Sequence, residues 1–266
     1  MPRRIRASML PAIGDCERRA IVRQYPEVME GYEPRVTRPS IGALVGTATH
    51  KMVAAYARKM MTGDAVDPQE AALIELNEEA AKGVEWDTTT PRLDVAVKQA
   101  VRLYAAYLPL LDTRRPALVE GSMGATLNDN WELTGTVDLL TTDGRIDDLK
   151  TGSKLSAYAA QLGGYALLAE SHGHKVTALS TTFLKRVPVG SAQPEPAVQE
   201  YDLDATKRFA MATVKRIIRD VEAFEASKDP NAFAANPMSL NCTSKYCPAW
   251  GTKFCQVHLP RGGDDE

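Results

Sequence analysis

The chain has 266 residues, 44% of them hydrophobic and 25% charged, with 32 basic side chains against 34 acidic ones and a formal net charge of −2. Such length and composition describe an ordinary soluble chain able to bury one large core, or one core with appendages. The near balance of charge excludes a global positive field for attracting nucleic acid and leaves that work to local basic patches.

In chain order, Ser8 to Gln24 is predicted as a helix running from the basic N-terminus through Cys16, and Pro34 and Pro39 mark a loop after it. Ile41 to Met61 carries Leu44, Val45, Ala48, Met52, Val53, Tyr56 and Met60 at helical spacing, with Gly63 as a stop. On that helix His50 shares a stripe with Gly46, Val53, Ala54 and Ala57, which turns it inward. Pro68 to Lys82 and Arg92 to Leu111 read as two more helices. From Ala117 the pattern changes to short strands, Leu118 to Leu127, Trp131 to Thr141 and Arg145 to Lys150, the last two joined by the Asp143-Gly144 turn signal. A helix from Leu155 to Ser171, a strand from Val176 to Arg186, a proline-broken loop at 193–196 and an amphipathic helix from Asp204 to Lys228 complete the layout. The closing RGGDDE is expected to be a disordered acidic tail.

The densest chemistry lies in GTVDLL and RIDDLK. Side chains alternate along a strand, so Asp148 and Lys150 project to one side, and Thr136 and Asp138 share a face on the preceding strand. Two carboxylates that are partly buried demand a counter-charge, and a hard divalent cation with oxygen ligands is the natural one. Lys150 then remains to meet a phosphate or to orient water. On the following helix Tyr158, Gln161 and Tyr165 fall on one face. The competing reading is an exposed Asp148–Lys150 ion pair of little energetic value.

The four cysteines are the second signal. Cys242, Cys247 and Cys255 crowd the C-terminus as C-x4-C-x7-C, and Cys16 lies near the other end. In a cytosolic chain such clustering indicates metal binding rather than disulfides. Four thiolates suit either zinc or a [4Fe–4S] cluster, and the spacing does not choose between them. His258 is a further ligand candidate of lower weight.

These pieces resemble the PD-(D/E)XK nuclease superfamily, in its RecB-like branch with the CRISPR-associated iron–sulfur exonucleases and many phage exonucleases. The matching segments are GTATHKMV with His50, GTVDLL with Asp138, DDLKTG with Asp148 and Lys150, and QLGGYA with Gln161 and Tyr165. One departure is Val137 in place of the proline before the first acid. The resemblance implies an α/β, restriction-endonuclease-like core: a central mixed sheet flanked by helices, with N- and C-terminal helical segments joined at a four-cysteine metal cluster. It implies a single domain with a helical part over about 1–115, a catalytic sheet core over about 116–202, and a C-terminal helix and cysteine cluster over about 203–258, followed by the tail at 259–266. It further implies Mg²⁺ or Mn²⁺ held by His50, Asp138, Asp148 and the Leu149 carbonyl, with Lys150, Gln161 and Tyr165 in the catalytic set. Cys16, Cys242, Cys247 and Cys255 would hold a [4Fe–4S] cluster, with zinc as the alternative. Glu120, at the start of the first strand, falls where the family carries a further acidic residue.

The expected activity is metal-dependent hydrolysis of DNA by an exonuclease, on ends with single-stranded character. No G-x-x-x-x-G-K-[ST] loop is present, so any motor comes from a partner such as a helicase, recombinase or CRISPR adaptation protein. The alternative is a catalytically silent nucleic-acid-binding or partner-recruiting module stapled by zinc. No apolar run reaches the roughly 18 residues a membrane span needs, and no hydrophobic signal core follows the N-terminal arginines, so a cytoplasmic location is expected. Basic residues offered for phosphate contact are Arg3, Arg4 and Arg6, the Arg18–Arg19 pair, Lys185 with Arg186, and Lys215 with Arg216 and Arg219.

Overall fold

In the computed structural model, residues 2–63 and 67–257 are described. The expected tail and His258 lie outside them. Among the described residues the strands β1 (Arg3–Arg6), β2 (Pro116–Asn128), β3 (Trp131–Thr141), β4 (Arg145–Gly152), β5 (Ala178–Lys185) and β6 (Ala197–Tyr201) form one mixed sheet. Six α-helices flank it: α1 (Leu10–Gln24), α2 (Ile41–Thr62), α3 (Glu70–Ala81), α4 (Leu93–Leu111), α5 (Ala159–Ser171) and α6 (Leu203–Ser227). Among the described residues no helix is long and apolar enough to cross a membrane.

Each face of the sheet has its own core. Val137, Leu140, Ile146 and Leu179 pack with side chains of α1, α5 and α6 on one side. Leu139, Leu149 and Leu184 pack with α2, α3 and α4 on the other. Period-2 alternation within β4 and β5 produces this division there. It also leaves each polar residue of β4 committed to one side. The β4–α5–β5 unit makes β4 and β5 parallel, in register from Arg145↔Ala178 to Gly152↔Lys185, as a helical crossover requires.

The expected hairpin of β3 and β4 forms only at its base. Leu139 pairs with Asp147 and Leu140 with Ile146, and beyond them the two strands part. Opposite the empty half of β3 lies β1, running parallel with Ile5↔Leu133 at its centre. This strand precedes the first expected helix and adds a sheet element to the part expected to be helical, over about 1–115. Its sequence, RRIR, offers one apolar side chain and no alternation to detect. Docking decides it, and Ile5 is fully buried. The short β6 at the sheet edge was also unpredicted, being largely exposed and without an apolar face.

The predicted helix through Cys16 exists but is interrupted there. Cys16 takes an extended backbone conformation, φ −154° and ψ 105°. The interruption lets residues 15–19 clasp the C-terminal segment. Arg18 N donates to Ala234 O at 3.1 Å, Ala234 N donates to Glu17 Oε2 at 3.0 Å, and Asn236 Nδ2 donates to Asp15 O at 2.8 Å. The two chain ends are thereby held together by hydrogen bonds.

Candidate active site

The parting of β3 from β4 creates the site. Past the base of the hairpin, Leu149 N–H has no partner on β3, and a buried amide left unpaired is costly. Asp138 supplies the acceptor: Leu149 N donates to Asp138 Oδ2 at 3.0 Å. The same oxygen lies 3.4 Å from His50 Nδ1 on α2. Helix α2 runs close to the end of β4, since a Cβ added at Gly46 would sit 2.5 Å from Thr151 Oγ1. One turn further along, His50 therefore overhangs the fork.

Asp148 stands on the opposite face of β4 from Leu149 and is 1% exposed. Lys150 Nζ donates to its Oδ1 at 3.1 Å and lies 2.9 Å from Oδ2, too poorly aligned there to make a hydrogen bond, so Oδ2 has none. Gln161 Nε2 donates to Asp148 Oδ1 at 3.1 Å and to the Tyr165 hydroxyl oxygen at 2.7 Å. Lys150 is also 4.8 Å from the centre of the Tyr158 ring, in cation–π range. The expected residues His50, Asp138, Asp148, Leu149, Lys150, Gln161 and Tyr165 are thus brought to one region. Gln161 and Tyr165 are 4% exposed, so neither presents an open face for stacking on a base.

The two carboxylates are electrostatically unlike. Burial pushes the Asp148 carboxyl up to about 7, with Asp138 adding to the rise and Lys150 opposing it. For Asp138 burial acts in the same direction, but His50, Lys150 and the Leu149 amide outweigh it and hold the carboxyl below its ordinary value. Burial works against a charged His50, yet Asp138 beside it raises the imidazole above its usual range. Two acids with environments that drive them apart are a hallmark of functional sites.

Glu120 joins this region from β2. Val119 pairs with Leu139 and Gly121 with Val137, which sets Glu120 across from Asp138. Its φ of +46° lies in the left-handed region, where a side chain other than glycine is strained. Arg58 Nη2 donates to Glu120 Oε2 at 2.7 Å. A cavity under the fork is lined by His50, Tyr107, Glu120, Asp138 and Asp147. Sequence reasoning overlooked Asp147, and the available signal was an acid between Ile146 and Asp148, on the same strand face as Leu149, where an apolar residue is usual.

The residues fit a divalent cation by their chemistry. Carboxylate and carbonyl oxygens with one imidazole suit Mg²⁺ or Mn²⁺, and Asp148 Oδ2 is a buried oxygen still lacking a hydrogen bond. As placed, no three His, Cys, Asp or Glu side chains among the described residues are close enough to form a finished ion-binding set. The cysteines stand similarly. All four are buried and line one cavity with Arg18, Arg19 and Trp250. Burial, joined by Cys16, Cys255 and Cys242, pushes the Cys247 thiol up to about 11. Four sulfurs in mutual electrostatic range are a donor set that fits zinc or an iron–sulfur cluster.

Several arginines expected to meet phosphate are already engaged. Arg186 forks onto Asp87, with Nη2 to Oδ2 at 2.6 Å and Nη1 to Oδ1 at 3.2 Å. Arg18 and Arg19 are buried, Arg216 holds Glu17 at 2.7 Å and Arg219 holds Asp220 at 2.6 Å. Arg6, Lys185 and Lys215 stay exposed.

A mixed sheet with helices on both faces, and two acids and a lysine at a strand fork, defines a restriction-endonuclease-like nuclease. The superfamily's own sequence pattern matches residues 7–252, and the chain belongs to the PD-(D/E)XK nuclease superfamily. A candidate exonuclease from Eubacterium rectale is similar at 13% identity, over 82% of this chain and 80% of that one, with a TM-score of 0.55. That likeness is one of fold. An alkaline exonuclease from Laribacter hongkongensis, 12% identical over 76% of this chain and 97% of its own, reaches a TM-score of only 0.33 and bears no weight. No curated protein matches the chain.

Proposed function

We propose that the chain is a DNA exonuclease that hydrolyses phosphodiester bonds with Mg²⁺ or Mn²⁺. The observation that carries this is the fork itself, where Asp138, taking the Leu149 amide, stands with His50, Asp148 and Lys150 in one electrostatically coupled group. Asp138, Asp148, His50 and the Leu149 carbonyl would hold the cation. When bound, it supplies a Lewis acid that polarises the phosphate and neutralises charge developing in the transition state.

The chain's own groups do the rest. Lys150, held at the fork by Asp148, would offer an ammonium to the non-bridging phosphate oxygens or to the attacking water. Gln161 keeps Asp148 oriented through its amide, and Tyr165 fixes the Gln161 amide in turn. Arg6, Lys185 and Lys215 are the open cations for the DNA backbone, in keeping with the small net charge.

The four cysteines would carry a [4Fe–4S] cluster whose role is closure, tying residue 16 to the 242–255 segment. The crowding of thiols agrees with a reducing, cytoplasmic setting. Digestion of end-labelled single- and double-stranded DNA with Mn²⁺, with and without chelator, tests the activity. Chelator-sensitive release of mononucleotides from ends supports an exonuclease. Absence of cleavage on every substrate overturns it.

A further inference from the structure

On the face of β4 that carries Leu149, opposite to Asp148 and next to it in sequence, lies a second acid that the proposed chemistry does not use. Asp147 is 1% exposed, and each of its oxygens is occupied. Oδ1 accepts from Ser180 Oγ at 2.7 Å and from Thr182 Oγ1 at 2.9 Å. Oδ2 accepts from Tyr107 OH at 2.7 Å and from Thr182 Oγ1 at 2.9 Å. Arg114 Nη1 stands 3.0 Å from Oδ2, with only 9% of its side chain exposed.

Those partners come from α4, from the segment after it and from β5, so Asp147 joins three elements to β4 at the residue preceding Asp148. Asp147, Tyr107, His50, Glu120 and Asp138 line the same cavity. Burial, then Asp147, and also Asp138, hold the Tyr107 hydroxyl well above its ordinary range, so both acids act on that hydroxyl. Poorly screened charges in a site of low dielectric are felt by one another. If Asp147 were neutral, the buried Arg114 would stand uncompensated beneath a site meant for a cation.

We propose that Asp147 is a positioning residue for the Asp138–Asp148 cation site, cancelling the buried charge of Arg114 and setting β4 so that the fork offers its carboxylates to a divalent ion without the added positive charge of Arg114. This rests on the cation site proposed above. It gives variants of opposite sign. Asp147→Asn keeps shape and leaves Arg114 unpaired, which weakens cation binding. Arg114→Gln leaves Asp147 with its three hydroxyl donors and its negative charge, which strengthens cation binding. The double variant Asp147→Asn/Arg114→Gln is neutral again.

The test is Mn²⁺ titration calorimetry on the full chain and each variant, with thermal melts in EDTA to confirm folding and end-labelled digestion alongside. Asp147→Asn should raise the Mn²⁺ dissociation constant by about tenfold or more, and the double variant should return it to within about threefold of the wild type. Arg114→Gln should lower it. If Asp147→Asn does not fold, the opposite shift in Arg114→Gln and the recovery in the double variant decide the matter. A role in packing alone predicts losses in both single variants and the largest loss in the double, and that pattern overturns the inference, as does an unchanged constant in folded Asp147→Asn. A wild type that binds Mn²⁺ but cleaves no DNA sinks the nuclease assignment and leaves this one standing, whereas a wild type that binds no Mn²⁺ overturns both.

Discussion

Asp138 accepts the backbone amide of Leu149 at 3.0 Å across the gap where β3 and β4 part, so one carboxylate both closes the fork and anchors the site. A side chain that caps a freed strand amide is not available to wander. Asp138→Asn can still accept that hydrogen bond while losing the charge. Asp138→Asn should therefore melt close to the wild type and lose divalent-cation-dependent cleavage by at least about a hundredfold. Comparing thermal melts with digestion rates separates the two roles.

Asp148→Ala and Lys150→Ala should each abolish cleavage while DNA binding largely survives, because the exposed cations proposed for the backbone, Arg6, Lys185 and Lys215, are other residues. Gel-shift or anisotropy titration beside the digestion assay checks this. Metal-dependent turnover retained in both variants would remove the assignment of these residues.

His50, 3.4 Å from Asp138, should be a tuning residue as well as a ligand. His50→Ala removes the group that most lowers the Asp138 carboxyl, so the Mn²⁺ requirement should rise by on the order of tenfold or more. Activity measured across a Mn²⁺ series reads this directly. An unchanged half-saturating concentration would mean that the imidazole does not act on the cation.

The acid with the raised value makes the metal-free protein sensitive to pH. Burial pushes Asp148 up to about 7, above the roughly 3.9 of an unfolded aspartate. The folded chain therefore binds a proton that the unfolded chain releases between those values. The contribution to stability is complete below about pH 4 and is lost as pH rises through about 7. In EDTA the melting temperature should fall between about pH 5 and pH 8, and Asp148→Asn should remove that part of the fall. A melting curve whose pH dependence Asp148→Asn leaves unaltered would contradict the burial argument.

The cysteine cavity predicts a measurable staple. Linking residue 16 to residue 242 constrains a long loop, worth roughly 4 to 5 kcal/mol as an upper figure on a chain-entropy estimate. Cys242→Ser should lose bound metal and shift the urea midpoint downward, and iron and zinc analysis with a visible spectrum distinguishes a cluster from zinc. Full metal content in that variant would show that Cys242 is not a ligand.

Residue by residue, the long elements were legible in the sequence. Helix α2 was predicted as Ile41 to Met61 and runs Ile41–Thr62; β3 has its predicted bounds of Trp131–Thr141. Both have strong periodicity and clear stops, Gly63 for the helix and the Asp143-Gly144 turn for the strand. The pairing of Asp148 with Lys150 was legible for the same reason, since alternation along one strand is a local property.

Local pattern could not decide what depends on partners far along the chain. β1 is a strand only because Ile5 docks beside Leu133, and β3 pairs with β4 only at Leu139–Asp147 and Leu140–Ile146. The same holds for Arg186, which looks like a phosphate-binding residue in sequence and is spent on Asp87 in three dimensions, and for Asp147, whose buried charge is acceptable only with Arg114 and three hydroxyls around it. The sequence by itself determined which residue types recur at strand and helix periods, and so the family and the candidate acids. Only the tertiary structure decided which charges are compensated, because compensation is a matter of distance and burial between segments that the order of residues does not bring together.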